Sequence, residues 1–217
     1  MRVKIEGKII EQYNYNNFNL NHETYSMILS NINTNRAKKI HAKKRFKRLF
    51  TFSKLFANMN NVHLYVSGED ELVKELVNYI MCNQLIRIGD KVISVTNLQP
   101  LNIALEKKNS YTFKTNIIVN EMENGRVSLS KDKEYIKKRI NEIAKDKYED
   151  IHGRKTNENI EVNIVSSKQR YTRYKNHHLN SYDMVLNLKG SDELINLIYN
   201  VGVGENTASG HGLMWEV

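Results

Sequence analysis

The chain has 217 residues, long enough for one large domain or two of about 100 residues that each bury a core. Its 33 Lys and Arg against 24 Asp and Glu give a formal net charge of +9, which favours a polyanionic partner. One cysteine, Cys82, excludes an internal disulfide framework and a cysteine-based zinc cluster, and no apolar run approaches the ~18 residues of a membrane helix, so a cytoplasmic protein without a membrane partner is expected.

Met1-Arg-Val-Lys-Ile-Glu6 is alternating and charged, which suits a strand through Val3, Ile5 and Ile9 and not a signal peptide. Asn21 stands where it caps a helix with the stripe Tyr25, Ile28, Leu29, Ile32. Arg48–Ser53 and Val62–Val66 read as strands. Gly68-Glu-Asp70 opens a second helix with Leu72, Val73, Leu76, Val77 and Ile80 on one side. Leu85–Ile88 and Val92–Val95 flank Gly89-Asp90, a hairpin turn. Pro100 and the polar Glu106–Ser110 mark a boundary.

The same order then returns. Tyr111–Asn120 reads as a strand, and Asp132–Tyr148 as a charged helix with Ile136, Ile140, Ile143 and Ala144 inward, ended by His152-Gly153-Arg154. Ile160–Ile164 and Met184–Leu188 alternate as strands. Ser191 caps a helix with Leu194, Leu197, Ile198 and Val201 on one stripe, and Gly202 sits where a left-handed residue ends it. Leu213, Trp215 and Val217 alternate as a closing strand. Strand–helix–strand–strand–helix–strand, twice, predicts an α+β chain of tandem ferredoxin-like βαββαβ domains over 1–100 and 110–217. No residue-level repeat accompanies that order.

Charge is concentrated. From Arg36 to Lys54 there is no acid, and Arg36, Lys38, Lys39, Lys43, Lys44, Arg45, Lys47, Arg48 and Lys54 lie within it. Such cations repel one another unless they are solvated or neutralised by a bound polyanion, so the run is either an exposed basic loop or a nucleic-acid contact. A second acid-free stretch interleaves Lys168, Arg170, Tyr171, Arg173, Tyr174 and Lys175, the mixture that contacts phosphates and stacks on unpaired bases. Its plain alternative is a solvated β-hairpin with tyrosines packed across strands. The loop holding Gly202, Gly204, Gly210 and Gly212 is either a flexible connector or a source of unencumbered N–H groups for phosphate oxygens. It follows a helix and precedes a strand, the reverse of a dinucleotide-binding fingerprint.

His41 is the only histidine in the first basic run. Surrounding ammonium groups disfavour its charged form and keep it available as a base, while a nearby lysine stabilises charge on a scissile phosphate. The bland reading is a bystander surface histidine. His177-His178 are adjacent and on a strand point to opposite faces, His22 and His63 have no evident partners, and no paired-carboxylate motif for magnesium exists. Neither a metal nor a cofactor is expected.

Two motifs carry a family resemblance. Gly202-Val-Gly204-Glu-Asn-Thr-Ala-Ser-Gly210-His-Gly212-Leu-Met resembles the C-terminal glycine-rich loop of the Cas6 CRISPR endoribonucleases, and Ile40-His41 through Leu49-Phe50-Thr51-Phe52-Ser53 resembles their catalytic region. The resemblance implies tandem ferredoxin-like (RRM-like) domains and metal-independent cleavage of CRISPR repeat RNA to release guide RNAs. It implies His41 as the catalytic histidine, Lys47 as the lysine with Lys44 and Lys43 as alternatives, and Tyr25 as the tyrosine that completes the site. Its partners would be repeat RNA and a CRISPR effector complex, with the chain a monomer or homodimer. The Lys168–Lys175 stretch is similar to the hairpin region with which some members grip a repeat stem. One departure is His211, which stands where the family has an aromatic: a harmless swap, or a second imidazole near the RNA.

Overall fold

The computed structural model describes residues 1–12, 20–42, 49–101, 104–123, 126–174 and 177–217; within these, the side chains of 39, 41–42, 123, 126–127, 172–174 and 177–179 are outside the description. The elements run β1 (Arg2–Gln12), α1 (Asn21–Ser30), α2 (Thr34–Ala42), β2 (Phe50–Phe52), β3 (Phe56–Asn58), β4 (Asn61–Gly68), α3 (Asp70–Asn83), β5 (Leu85–Ile88) and β6 (Lys91–Leu101). They continue with β7 (Tyr111–Ile117), β8 (Asn120–Glu123), β9 (Arg126–Leu129), α4 (Lys133–His152), β10 (Ile160–Tyr174), β11 (His177–Gly190), α5 (Asp192–Val201) and β12 (Met214–Glu216).

The first sheet is ordered β2-β4-β1-β6-β5 and the second β10-β11-β7-β12. Taking the strands of each half in sequence, and setting aside β3, the added hairpin strand β5 and the separate β8–β9 hairpin, both sheets read 2-3-1-4, with antiparallel neighbours. That is the ferredoxin-like order, found twice in an α+β chain. Each sheet packs its helices over its own core: Val3, Ile28, Leu64, Leu72 and Ile80 in the first, Phe113, Ile140, Leu186, Leu194 and Ile198 in the second.

Local sequence explains most elements. In α5 the Ser191 hydroxyl accepts the Leu194 N–H at 3.3 Å, Asp192 and Glu193 occupy the first turn, and Leu194, Ile195, Ile198 and Tyr199 are buried. Asp132 caps α4 by accepting the Glu134 N–H at 2.8 Å, and Gly153, at φ 68°, ends it.

Four expectations change. Asn21 is the first residue of α1, whose N-cap position is Leu20; its amide donates to the Ser209 carbonyl at 3.0 Å. The start of the first basic run is not a loop but helix α2, because Ala, Lys and Arg are strong helix formers. β6 passes straight through Pro100, opposite Val3, in a stretch where β5 no longer pairs with it, so the missing N–H faces an open edge. A hairpin, β8–β9, stands beyond Asn120, where no strand was expected.

Candidate nucleic-acid interface

A cleft of about 1040 Å³ lies between the two sheets. Its walls are residues of β2, β3, β7, β10 and β11, the start of α1, the glycine-rich loop and Trp215. Among the described lining residues, Lys54, Lys114, Lys168 and Arg170 stand against one carboxylate, Asp183. The volume is at the top of the range for small-ligand pockets, about 300–1,000 Å³, and the cleft's cationic lining matches a segment of polyanion.

The glycine-rich loop forms the head of the cleft, and it is built inward. Its N–H groups are largely committed: Gly202 donates to the Ile198 carbonyl (2.9 Å), Val203 to Gly212 (2.9 Å), Gly210 to Thr207 (3.1 Å) and Gly212 to Asn116 (2.6 Å). Lys147, fully buried on α4, caps the loop from behind by donating to the Gly202 and Gly204 carbonyls at 2.5 and 3.4 Å. Burial alone pushes its pKa down to about 7. Gly212, at φ 79°, cannot carry a side chain: a Cβ there would collide with the Val203 carbonyl oxygen. The glycines therefore hold a shape, and the expectation that Gly202, Gly210 and Gly212 offer free N–H groups to phosphate is corrected by these internal bonds.

His211 lies inside that shape. It is 1% exposed, burial pulls its pKa down to about 4, and a backbone hydrogen bond with Ser209 opposes the shift only in part. It is uncharged at neutral pH and packs within the loop.

The loop sits directly on the Phe50-Thr51-Phe52 strand. The Thr51 hydroxyl donates to the His211 carbonyl at 2.7 Å. The two sequence motifs, 160 residues apart, thus meet. Behind them Tyr25 is 8% exposed with its ring stacked on Phe50, centroids 6.1 Å apart. The His41 backbone is in the last turn of α2, which packs on α1; its side chain, and Lys43, Lys44, Arg45, Lys47, Arg48 and Lys175, lie outside the described residues, as do the side chains of Lys39, Arg173 and Tyr174.

The remaining predicted cations divide. Lys38 is exposed on α2, and Lys54 lies 5.2 Å over the Phe56 ring at the cleft. Lys168 and Tyr171, the latter 72% exposed, stand on β10 at the cleft wall. Arg170 is there too, but it is ion-paired with Asp183 at 2.6 Å. Arg36 is not at the cleft lining: it contacts Glu75 at 3.1 Å, Glu69 at 3.4 Å and Glu71 at 3.7 Å.

Sequence reasoning missed an aromatic wall. Phe56 stacks on His63 at 4.8 Å, His63 meets Tyr65 edge-on at 5.7 Å, and Tyr65 meets Trp215 edge-on at 4.7 Å. His63 therefore has ring partners. The signal was available in β4, where Val62, Leu64 and Val66 are buried and leave His63 and Tyr65 on the opposite face. Arg2 was also missed: 1% exposed, it donates to the Tyr199 and Met214 carbonyls at 2.9 and 3.1 Å and lies 5.3 Å from the Trp215 ring centre, while burial lowers its pKa. Among the described residues no cluster of three His, Cys, Asp or Glu could hold a metal ion, and no helix is long and apolar enough to cross a membrane.

Comparison with known proteins agrees with this geometry. A solved RAMP protein described as binding different RNA substrates superposes with a TM-score of 0.83 at 19% identity, over 100% of this chain and 99% of that one. A Cas6-related protein of Pyrococcus furiosus gives 0.82 at 21%, covering 100% and 98%. A Cas6 solved as a product complex gives 0.72 at 15%, covering 100% and 98%. At these identities the likeness is one of fold. No curated protein matches the sequence. The family model described as CRISPR associated protein Cas6, C-terminal, matches residues 106–216. Since that match spans just over half of the 217 residues, the chain belongs to the Cas6 family of CRISPR-associated proteins.

Proposed function

We propose that this protein is an endoribonuclease that cuts CRISPR repeat RNA once within each repeat, releasing guide RNAs for an effector complex. The observation that carries the reading is the junction of its two motifs: the glycine-rich loop seated on the Phe50-Thr51-Phe52 strand, at the head of a cleft with a surplus of cations. Family membership and a relative solved as a product complex support it.

In the proposed reaction His41 removes the proton of a ribose 2′-hydroxyl. The 2′-oxygen attacks the adjacent phosphorus, the P–O5′ bond breaks, and the strand ends in a 2′,3′-cyclic phosphate and a 5′-hydroxyl that takes up a proton. Lys47, with Lys43 and Lys44 as alternatives, stabilises the charge that develops on the phosphoryl oxygens. Tyr25 is the third candidate, its ring stacked on Phe50. Acid–base help of this kind is worth about 10²–10⁴-fold, and electrostatic stabilisation adds to it. The step needs no metal and no cofactor.

The test uses the cognate repeat RNA in excess EDTA. Cleavage with 2′,3′-cyclic phosphate ends is expected. A 2′-deoxy substitution upstream of the cut, or His41→Ala, should leave binding intact and reduce cleavage by at least 100-fold. A metal requirement or 3′-hydroxyl ends would overturn the mechanism. Salt-sensitive binding with no cleavage under any condition would instead make the protein a non-catalytic guide-binding subunit.

A further inference from the structure

Helix α2 begins with a tie to α3. Asn33 caps it: its side-chain oxygen accepts the N–H groups of Asn35 (2.9 Å) and Arg36 (3.4 Å), and its carbonyl accepts the Ala37 N–H (2.9 Å). Glu75, in the second turn of α3, then holds this first turn with both carboxylate oxygens. Oε2 accepts the Asn33 N–H at 3.1 Å and Oε1 accepts Nε of Arg36 at 3.1 Å. A carboxylate beside exposed N–H groups also suits the positive end of the helix. Glu69 and Glu71 complete a ring of acid around the same guanidinium. Further along, Ile40 is buried in the first core and Ala37 packs against it. Buried apolar residues fix how far α2 stands from the sheet, but they permit sliding and rotation. A two-oxygen clamp at the helix start fixes both.

His41 is eight residues beyond the cap, about 12 Å along the axis at 1.5 Å per residue. We propose that Arg36 and Glu75 are a positioning pair: they set the axial and rotational register of α2 and so the place at which its last turn presents His41. This rests on His41 being the base. Misplacing a catalytic group by about 1 Å costs up to 100-fold in rate.

The alternative role, a phosphate contact by Arg36, predicts opposite signs for the two residues. Removing the arginine would weaken RNA binding, whereas removing the charge of Glu75 would free the arginine and tighten it. Positioning predicts the same sign for both, and on cleavage alone. Single-turnover cleavage at saturating enzyme, with dissociation constants measured over a salt series, separates them. Arg36→Ala and Glu75→Gln should each slow cleavage about 10-fold, with dissociation constant and salt slope unchanged, and Arg36→Lys should recover most of the rate.

Wild-type cleavage rates in both variants would overturn the proposal. So would a salt slope shallower by about 0.7 for Arg36→Ala, which is one lost phosphate contact on a single strand. His41→Ala is measured alongside. If it cuts normally, the assignment of the base fails; if it is inactive while the pair variants cut normally, only the positioning role fails.

Discussion

Two buried bases show how burial turns side chains into pH-dependent supports. His211 is uncharged when folded, with a pKa near 4 against about 6.5 in the unfolded chain. Its depressed pKa contributes stability that is complete above pH 6.5 and lost as pH falls towards 4, on the order of 3 kcal/mol in all. His211→Phe, which puts an aromatic where the family resemblance implies one, should fold and flatten the stability curve between pH 6.5 and 4, as read by denaturant midpoints; an unchanged acid slope would count against a buried neutral ring. Lys147 works at the other end of the scale. With a folded pKa near 7 and an unfolded one near 10.4, its contribution is complete above pH 10.4 and gone below about pH 7. Stability should therefore climb with pH across that window, by at most about 1.4 kcal/mol per unit, and Lys147→Met should remove the climb.

Among elements, the β10–β11 hairpin and the aromatic wall should divide the work of holding RNA. A register shift between Ile164 and Ser166 separates the buried root of the hairpin from its exposed basic part, so Lys168 and Tyr171 stand at the cleft without costing the core anything. Lys168→Ala should weaken binding and reduce the salt slope by about 0.7. Phe56→Ala, at the end of the ring series, should weaken binding by about 1–3 kcal/mol while leaving the salt slope alone, because a stacked base carries no counterion. Binding isotherms over a salt series separate the two, and a slope change for Phe56→Ala would remove it from the stacking surface.

At the scale of the molecule, both 2-3-1-4 sheets were legible because apolar periodicity and caps are local. The Ser191 cap, the α3 and α5 stripes and the alternation of β7 could be read directly, and both motifs could be picked out through family resemblance, although not their contact. What could not be read was which cations are free. Arg36 is surrounded by acids 33 to 39 positions away, and Arg170 by one 13 positions away, across a hairpin. An acid-free run is thus acid-free only along the chain. Helix α2 was hidden for a related reason: its charge density suggested an extended, solvated loop, although its residues favour helix. The aromatic wall needed β3, β4 and β12 to be brought side by side, which no window of sequence contains.

Five hydrogen bonds among the described residues cross between the halves in a common direction. Arg2 reaches the carbonyls of Tyr199 and Met214, Asn21 that of Ser209, Thr51 that of His211 and Ser67 that of Asn200. In each of these five the first half supplies a side-chain donor and the second a main-chain oxygen. The seam is therefore written in residue identity on one side and in chain trajectory on the other. Divergence at 200, 209, 211 or 214 leaves these acceptors in place as long as the path of the loop survives, whereas a single change at 2, 21, 51 or 67 deletes a donor. Evolutionary drift in this protein should accordingly be lopsided, free in lettering but strict in glycine spacing after α5, and strict in lettering on the facing strands.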